Sequence, residues 1–145
     1  MPDTPQHLVI EGKSFEQTYK PVLDFHGWKV AMLRHFDAVD PNKFHRIERH
    51  WNTNEVFILT AGQTDLIIFE GDPADESPSD QFYVIPMELN VAYDVQQSVW
   101  HHAVMSEDAH IIIFERSETS ADTTNYFELS PETVRAVSQQ FTVKT

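Results

Sequence analysis

Short apolar segments separated by turns run through most of this chain, and they limit its fold more than any other feature of the sequence. Residues 43–51 alternate in part between the two faces of a strand, which is the period typical of β-strands, whereas the run at residues 111–114 is apolar on both faces and predicts a core strand. The predicted strands cover residues 28–36, 43–51, 55–61, 65–69, 81–85, 90–95, 99–105 and 110–116. A turn at residues 61–63 predicts a hairpin. Strands at such short spacing predict an all-β fold, either an antiparallel sandwich or a barrel.

One helix is predicted after these strands, at residues 130–141. Ser130 can cap it, and Pro131 suits the first helical position. Its apolar stripe consists of Val134, Val137 and Phe141. We predict a single domain over residues 1–145, with a barrel core at residues 28–116 against which this short C-terminal helix packs.

The charge balance excludes several classes of partner. The chain has 145 residues, with 10 Lys and Arg against 23 Asp and Glu, and a net charge of −13. Because phosphates attract basic surfaces, we expect no nucleic-acid partner and no binding to anionic membranes. No apolar run approaches the ~20 residues of a membrane span. Residues 1–6 lack the features of a signal peptide. We therefore expect a cytoplasmic protein.

Cysteine and glycine usage narrows the chemistry further. The chain contains no cysteine, which excludes disulfides, thiolate zinc sites and cysteine nucleophiles. Its 4 glycines do not form a GxGxxG motif or a phosphate-binding loop. We therefore expect no nucleotide cofactor.

Histidines supply an alternative route to metal binding. Among the 8 histidines, His50 is followed closely by Glu55, and His101 lies on a later predicted strand. In a closed antiparallel barrel, neighbouring strands can direct these three side chains to one interior point. Two imidazoles and a carboxylate form a triad that suits a divalent metal such as Fe, Mn, Ni or Zn. Such a metal polarises a substrate carbonyl or hydroxyl group.

The spacing around His50 resembles the first motif of the cupin superfamily: Gly, five residues, His-x-His, three or four residues, Glu, six residues, Gly. His50, Glu55 and Gly62 match this motif. Its first Gly and first His are replaced by Asn42 and Glu48. In the second motif only His101 remains. The departures there are Asn90, Gln96, Ser98 and Met105. The resemblance implies a cupin-type antiparallel β-barrel, or jelly roll.

A narrower resemblance covers residues 46–116 and concerns ureidoglycolate lyase, a small cupin-like enzyme. That family carries Glu-Arg-His, Phe-Ile, Asn-Val-x-Tyr and Trp-His-His in the same order. The corresponding segments here are residues 48–50, 57–58, 90–93 and 100–102. The resemblance implies a homodimeric lyase that splits ureidoglycolate into glyoxylate and urea. Two departures are Glu55, where the family generally has Gln, and Ala103, where it has Pro.

Elimination of urea needs a base and an acid in one small polar pocket. We expect His50, Glu55 and His101 to bind the metal, and His101 also to take part in catalysis. Glu48 shares a face with His50 and is the candidate base, whereas Tyr93 is a candidate acid. The predicted substrate-binding residues are Arg46 and Trp100. The substrate is expected to be small and anionic or polar, and Arg46 supplies a positive charge that such a substrate needs.

Each of these residues also has a structural interpretation. His50 and His101 can be hydrogen-bonded core histidines, and Glu48 can pair with Arg46. Tyr93 can contribute only packing, since tyrosine is amphipathic. Trp100 can equally belong to the core.

Two other functions stay open at this stage. The first is a different metal-dependent cupin enzyme, such as a dioxygenase or isomerase of a small hydroxy, keto or sugar acid, which Glu55 favours. The second is a cupin that binds a small ligand without catalysis, which Ser98 and Met105 favour, because they replace residues of the second cupin motif.

Overall fold

Ten antiparallel strands and one α-helix make up the fold in the computed structural model, which describes residues 3–144. The strands are β1 (Tyr19–Phe25), β2 (Trp28–Arg34), β3 (Arg46–His50), β4 (Glu55–Ala61), β5 (Thr64–Phe69), β6 (Phe82–Pro86), β7 (Ala92–Val95), β8 (Trp100–Met105), β9 (His110–Arg116) and β10 (Thr124–Glu128). The helix is α1 (Pro131–Ser138), and three short 3₁₀ helices are Asp37–Val39, Pro41–Lys43 and Ala121–Thr123. No described helix is both long and apolar enough to cross a membrane.

The strands form two five-stranded sheets that face each other. Sheet A has the order β1-β2-β9-β4-β7, and sheet B has the order β10-β3-β8-β5-β6. Because side chains alternate between the two faces of a strand, each strand contributes one row to the space between the sheets. The prediction of an all-β, jelly-roll barrel with a short C-terminal helix is therefore confirmed.

Two hydrophobic clusters stabilise this arrangement. The first lies between the sheets and includes Leu33, Phe57, Leu59, Leu66 and Ile111. The second lies on the outer face of sheet B, where Ile47, Ile67 and Trp100 pack with Val137 of α1. The helix thus covers one face of one sheet, as its predicted apolar stripe requires.

The predicted hairpin at residues 61–63 is wrong in its pairing, although the turn is present. β4 pairs with β7 and β9, whereas β5 pairs with β6 and β8, so this turn carries the chain from sheet A to sheet B. Gly62 has a φ of +73°, and a Cβ there would meet the backbone of Ala109 at 2.5 Å. A glycine fits this corner because it tolerates both the conformation and the close approach.

Element boundaries also differ from the prediction in three places. β1 and β10 were not predicted; Pro21 interrupts the first, and the second is largely polar. The segment predicted at residues 43–51 begins as a 3₁₀ helix and becomes a strand only at Arg46. The helix ends at Ser138 rather than residue 141.

A buried carboxylate on β5 anchors the segment after α1. Asp65 has no exposed surface, and it accepts hydrogen bonds from the backbone N–H groups of Thr142 (2.7 Å) and Val143 (3.0 Å) and from the Thr142 hydroxyl. These bonds compensate the cost of burying the carboxylate.

Candidate metal centre

A cavity of about 570 Å³ lies between the two sheets, and strands of both sheets line it. On β3 the alternation of a strand directs Arg46, Glu48 and His50 into the cavity. β8 lies next to β3, with His101 directly opposite Glu48. Glu55, at the start of β4, faces them from sheet A. The structure therefore brings five of the seven predicted site residues into one cavity.

Glu55 lies between two imidazole rings. Its Oε2 atom is 3.2 Å from Nε2 of His50, and its Oε1 atom is 3.2 Å from Nε2 of His101. All three side chains are buried. One carboxylate thus faces two histidines, one oxygen for each ring.

The other ring nitrogen of each histidine fixes which nitrogen carries a proton. Nδ1 of His101 lies 2.9 Å from the carbonyl oxygen of Val99, which can only accept, so Nδ1 donates. The hydroxyl of Thr124 donates to the carbonyl oxygen of Ser120 (2.6 Å), and it therefore accepts from Nδ1 of His50 (2.8 Å). Nε2 of each ring therefore faces Glu55, and it donates to the carboxylate when it carries a proton and offers a lone pair to a metal when it does not.

A third carboxylate, Glu115 on β9, extends this centre. Its Oε1 atom accepts a hydrogen bond from the Tyr19 hydroxyl and lies 3.6 Å from Nζ of Lys29. Its Oε2 atom is buried and receives no hydrogen bond from a donor of the described residues. This oxygen is therefore available to carry a proton or to bind a metal.

The shared environment lowers the pKa of Glu55 and raises the pKa of both Glu115 and His101. Burial raises the pKa of Glu115 to about 9, and the hydrogen bond and negative charge of Glu55 act in the same direction. Burial alone would also raise the pKa of Glu55, but hydrogen bonds from Glu115, His101 and His50 lower it well below its ordinary value. Burial disfavours a charged His101, yet the hydrogen bond and charge of Glu55 raise its pKa to about 9. The centre therefore contains an ionised carboxylate, a protonated carboxyl group and an imidazolium when no metal is bound.

Two overlapping groups of these side chains could hold a divalent metal, and each contains only two members of the predicted triad of His50, Glu55 and His101. Ligand atoms of Glu48, His50 and His101 lie within 4.8 Å of one another, as do those of His50, Glu55 and Glu115. Both Nε2 atoms converge while their Nδ1 atoms are held by hydrogen bonds, which is the usual arrangement around metal-binding histidines. Imidazole and carboxylate ligands suit Fe, Mn, Ni or Zn.

Two residues predicted to belong to the site lie outside the cavity lining. Tyr93 packs against the cluster between the sheets, and its hydroxyl accepts a hydrogen bond from the backbone of Glu88 (2.8 Å). Trp100 points to the other side of sheet B, where it belongs to the cluster beneath α1. Its neighbour His101 points inward because successive side chains of a strand alternate. The expected acid role of Tyr93 and substrate role of Trp100 are corrected accordingly.

The sequence analysis missed most of the residues that line the cavity, among them Tyr19, Lys29 and Glu115 beside the candidate metal centre. The signal for Glu115 was present, since Ile111, Ile113 and Glu115 alternate as one buried row of β9. The adjacent run of isoleucines hides this row, because both faces of the strand look apolar.

Three basic side chains line the cavity, and one of them, Lys43, is paired with Asp37 (2.7 Å). Lys29 projects from sheet A, and its Nζ donates to the carbonyl oxygen of Thr119 (3.1 Å). Arg46 projects from sheet B, with its guanidinium carbon 4.4 Å from the ring centre of Tyr126. No ion pair joins Glu48 to Arg46 within the described residues, so the structural interpretation of Glu48 as a paired side chain is not realised. The acidic loop at residues 71–80 contributes nothing to the lining.

Comparisons with known proteins find similarity in fold. No family model matches the sequence, and no curated protein matches it. A protein from Planctomyces limnophilus has a similar structure, with 15% identity, coverage of 86% of this chain and 96% of that chain, and a TM-score of 0.50. An RmlC-like cupin from Shewanella frigidimarina shares 12% identity over 78% of this chain and 87% of its own, with a TM-score of 0.49. A cupin-2 domain protein from the same species shares 21% identity over 70% of this chain and 84% of its own, with a TM-score of 0.46.

Proposed function

We propose that this protein is a small-molecule enzyme whose reaction takes place in the barrel cavity at a divalent metal held by His50, Glu55 and His101. The substrate we propose is a small anionic hydroxy acid, and the reaction is cleavage of ureidoglycolate to glyoxylate and urea. The observation that carries the metal centre is the position of Glu55, whose two oxygens face two Nε2 atoms at 3.2 Å. The choice of ureidoglycolate depends on the resemblance over residues 46–116.

Glu48 and Glu115 are available to complete the metal coordination or to move protons. A metal bound here supplies Lewis acidity, which stabilises negative charge on a substrate oxygen. Arg46 and Lys29, on opposite sheets, attract the substrate carboxylate into an otherwise acidic protein.

The proton transfers of the reaction can be assigned to two carboxyl groups. Glu48 accepts the proton of the substrate hydroxyl, whose oxygen then forms the carbonyl group of glyoxylate as the carbon–nitrogen bond breaks. The leaving nitrogen must gain a proton to depart as urea. Glu115 takes the acid role first expected of Tyr93, since its raised pKa of about 9 keeps it protonated at neutral pH.

Metal analysis of the untagged protein tests the first part of this proposal. We expect near-stoichiometric Fe, Mn, Ni or Zn in the purified or reconstituted protein and its loss in both His50→Ala and His101→Ala. The control is His110→Ala, because His110 lies on β9 but faces away from the cavity and is absent from its lining. A protein that remains metal-free after reconstitution would contradict the metal centre.

Turnover of ureidoglycolate tests the second part. Release of glyoxylate and urea, abolished in Glu48→Gln and kept in His110→Ala, is the expected result. If metal binds but ureidoglycolate is not cleaved, the lyase assignment is wrong and the metal centre stands. A shift in melting temperature with a small acid, without turnover of any acid tested, would instead indicate a binding protein.

A second function is favoured by one residue, Glu55. Where the lyase family generally has a neutral Gln, a carboxylate makes a stronger ligand for a hard divalent metal. This favours a metal-dependent dioxygenase or isomerase of a small hydroxy, keto or sugar acid. Glu55→Gln distinguishes the two functions: a lyase of the family type should keep its turnover, because the Gln oxygen can still bind the metal, whereas a reaction that needs the carboxylate ligand should be abolished.

A further inference from the structure

The wall of the cavity changes from charged to apolar along the barrel. On sheet A, Lys29 lies opposite Glu115, and both line the cavity with Glu55. Inward side chains of a strand are two residues apart, so the next inward residues of β9 and β4 are Ile113 and Phe57, which lie opposite each other. The wall therefore becomes apolar within one step from the candidate metal centre.

Six lining residues form what we call the apolar end of the cavity. They are contributed by both sheets and by the segment between β2 and β3, and all are buried or half-buried: Leu33, Phe36, Val39, Phe57, Ala103 and Ile113. Three charged lining residues from the same part of the chain, Asp37, Lys43 and Arg46, are exposed. These three side chains therefore lie at the mouth of the cavity and leave the apolar end uncharged.

The cavity is longer than a small polar acid. Lys29 and Leu33 both line it, and they are four residues apart on β2. At about 3.3 Å per residue, this separation is about 13 Å along the strand. The cavity volume of about 570 Å³ equals that of roughly 19 molecules of liquid water. A substrate of the size of ureidoglycolate, bound at the metal centre, does not reach the apolar end.

Ala103 is the smallest side chain of the apolar end. It follows His101 by two residues on β8, so both side chains point to the inner face of sheet B. Ala103 is only 7% exposed, yet it belongs to neither hydrophobic cluster. A methyl group at this position keeps the space between the sheets open one step from His101.

We propose that the substrate is a 2-hydroxy acid with a hydrocarbon substituent of about four to six carbons, which occupies the apolar end while the acid head binds at the metal centre. The inference rests on the function proposed above, because the metal centre fixes the position of the head. Burial of hydrocarbon against these side chains is favourable in proportion to the apolar area that leaves water.

The apolar end also selects among small hydroxy acids. A polar substituent placed there would lose its hydrogen bonds to water without gaining new ones from apolar side chains. Within the proposed class, the cavity therefore favours acids with a hydrocarbon substituent over acids with a ureido group.

Calorimetric titration of the full chain with a series of acids tests the proposal. The series is glycolate, 2-hydroxybutyrate, 2-hydroxypentanoate, 2-hydroxyhexanoate and 2-hydroxyoctanoate, each measured with Zn²⁺-loaded protein and in EDTA. We expect the affinity to rise about three- to fourfold for each added methylene until the apolar end is filled. The control ligand is 2,4-dihydroxybutyrate, in which a hydroxyl replaces the terminal methyl of 2-hydroxypentanoate, and it should bind no better than glycolate.

Two substitutions locate the gain in affinity. Ala103→Phe fills the apolar end and should weaken 2-hydroxyoctanoate binding at least about tenfold. Val39→Thr adds a hydroxyl there at nearly constant volume and should weaken it about threefold. The matched control is Ala92→Phe, since Ala92 is an exposed alanine of β7, and it should keep the full gain. Circular dichroism checks that all three variants fold.

The outcomes separate this inference from the proposed metal centre. Equal affinities along the series in Zn²⁺-loaded protein, or a gain that folded Ala103→Phe and Val39→Thr both retain, would overturn the apolar end and leave the metal centre standing. A gain that is identical in EDTA and in His101→Ala would support the apolar end and contradict the metal centre.

Discussion

Glu55 is held between two histidines whose outer nitrogens are already committed to hydrogen bonds. Since Nδ1 of each ring donates to an oxygen, the two Nε2 atoms must bind either protons or a metal next to the carboxylate. The same site can therefore hold either protons or a metal cation, both of which are positively charged. Proton and metal compete for this centre, and the competition can be measured.

Thr124 should affect metal affinity without touching the metal. Thr124→Val removes the acceptor of the His50 Nδ1 proton, and loss of such a supporting hydrogen bond typically lowers metal affinity about 10–100-fold. Calorimetric titration with Zn²⁺ measures the change. Thr60→Val is the matched control, because Thr60 contacts Nδ1 of His110 (2.9 Å) outside the cavity. Equal affinities in all three proteins would contradict the role of Thr124.

Metal affinity should rise with pH. His101 has a pKa raised to about 9, so at neutral pH a metal must displace its proton. We expect tighter Zn²⁺ binding with each step from pH 6.5 to pH 9, accompanied by proton release that depends on buffer ionisation enthalpy. His101→Gln removes the titrating ligand, so the Zn²⁺ affinity that remains should depend little on pH. Affinity independent of pH in the wild type would argue against a protonated His101.

The stability of the metal-free protein should fall as the pH rises, whereas metal affinity should increase. The pKa of His101 is raised on folding, so its contribution to stability is full below about pH 6.5 and is lost as pH rises through about 9. The pKa of Glu115 is also raised on folding, to about 9, so its contribution to stability is likewise lost as the pH rises from its ordinary pKa towards 9. Melting temperatures in EDTA should therefore fall between pH 6.5 and 9. Glu115→Gln, which mimics the protonated group, should show a smaller fall.

At the scale of single strands, the sequence predicts which side chains share one face of a strand. It does not predict how deep in the barrel each of these side chains lies. Period two correctly placed Arg46, Glu48 and His50 on one face of β3. It could not show that Tyr93 lies outside the cavity lining, because depth depends on how the sheets pack.

Sheet assignment was the other information that the sequence lacked. The turn at Gly62 has the composition of a hairpin, but its strands belong to different sheets. Edge strands β1 and β10 lack an apolar alternation, because much of their surface faces solvent. Tyr19, which the structure adds to the cavity, lies on one of these strands.

The attachment of the C-terminal segment to β5 should have a measurable energy. Asp65→Ala removes both carboxylate oxygens, so the buried backbone N–H groups of Thr142 and Val143 lose their acceptor. We expect the free energy of unfolding in urea to fall by about 1–3 kcal/mol. Asp108→Ala is the control, since Asp108 is exposed and accepts only from the Ser106 hydroxyl (2.7 Å). The control should change stability by less than about 0.5 kcal/mol.

At the scale of the whole molecule, the acidic loop at residues 71–80 separates two sets of strands. β1 to β5 precede it and β6 to β10 follow it, yet each sheet contains strands of both sets. The centre is divided in the same way. Glu48, His50 and Glu55 come from the first set, whereas His101 and Glu115 come from the second.

This division makes the protein a natural candidate for fragment complementation. A protease cut in the loop would sever the chain away from the cavity, leaving two pieces that are held together by the pairing of β4 with β9 and of β5 with β8. Neither piece alone has both imidazoles beside Glu55. Recovery of tight Zn²⁺ binding on mixing the separated pieces would then report reassembly directly, so the metal centre could serve as the readout of a split-protein sensor.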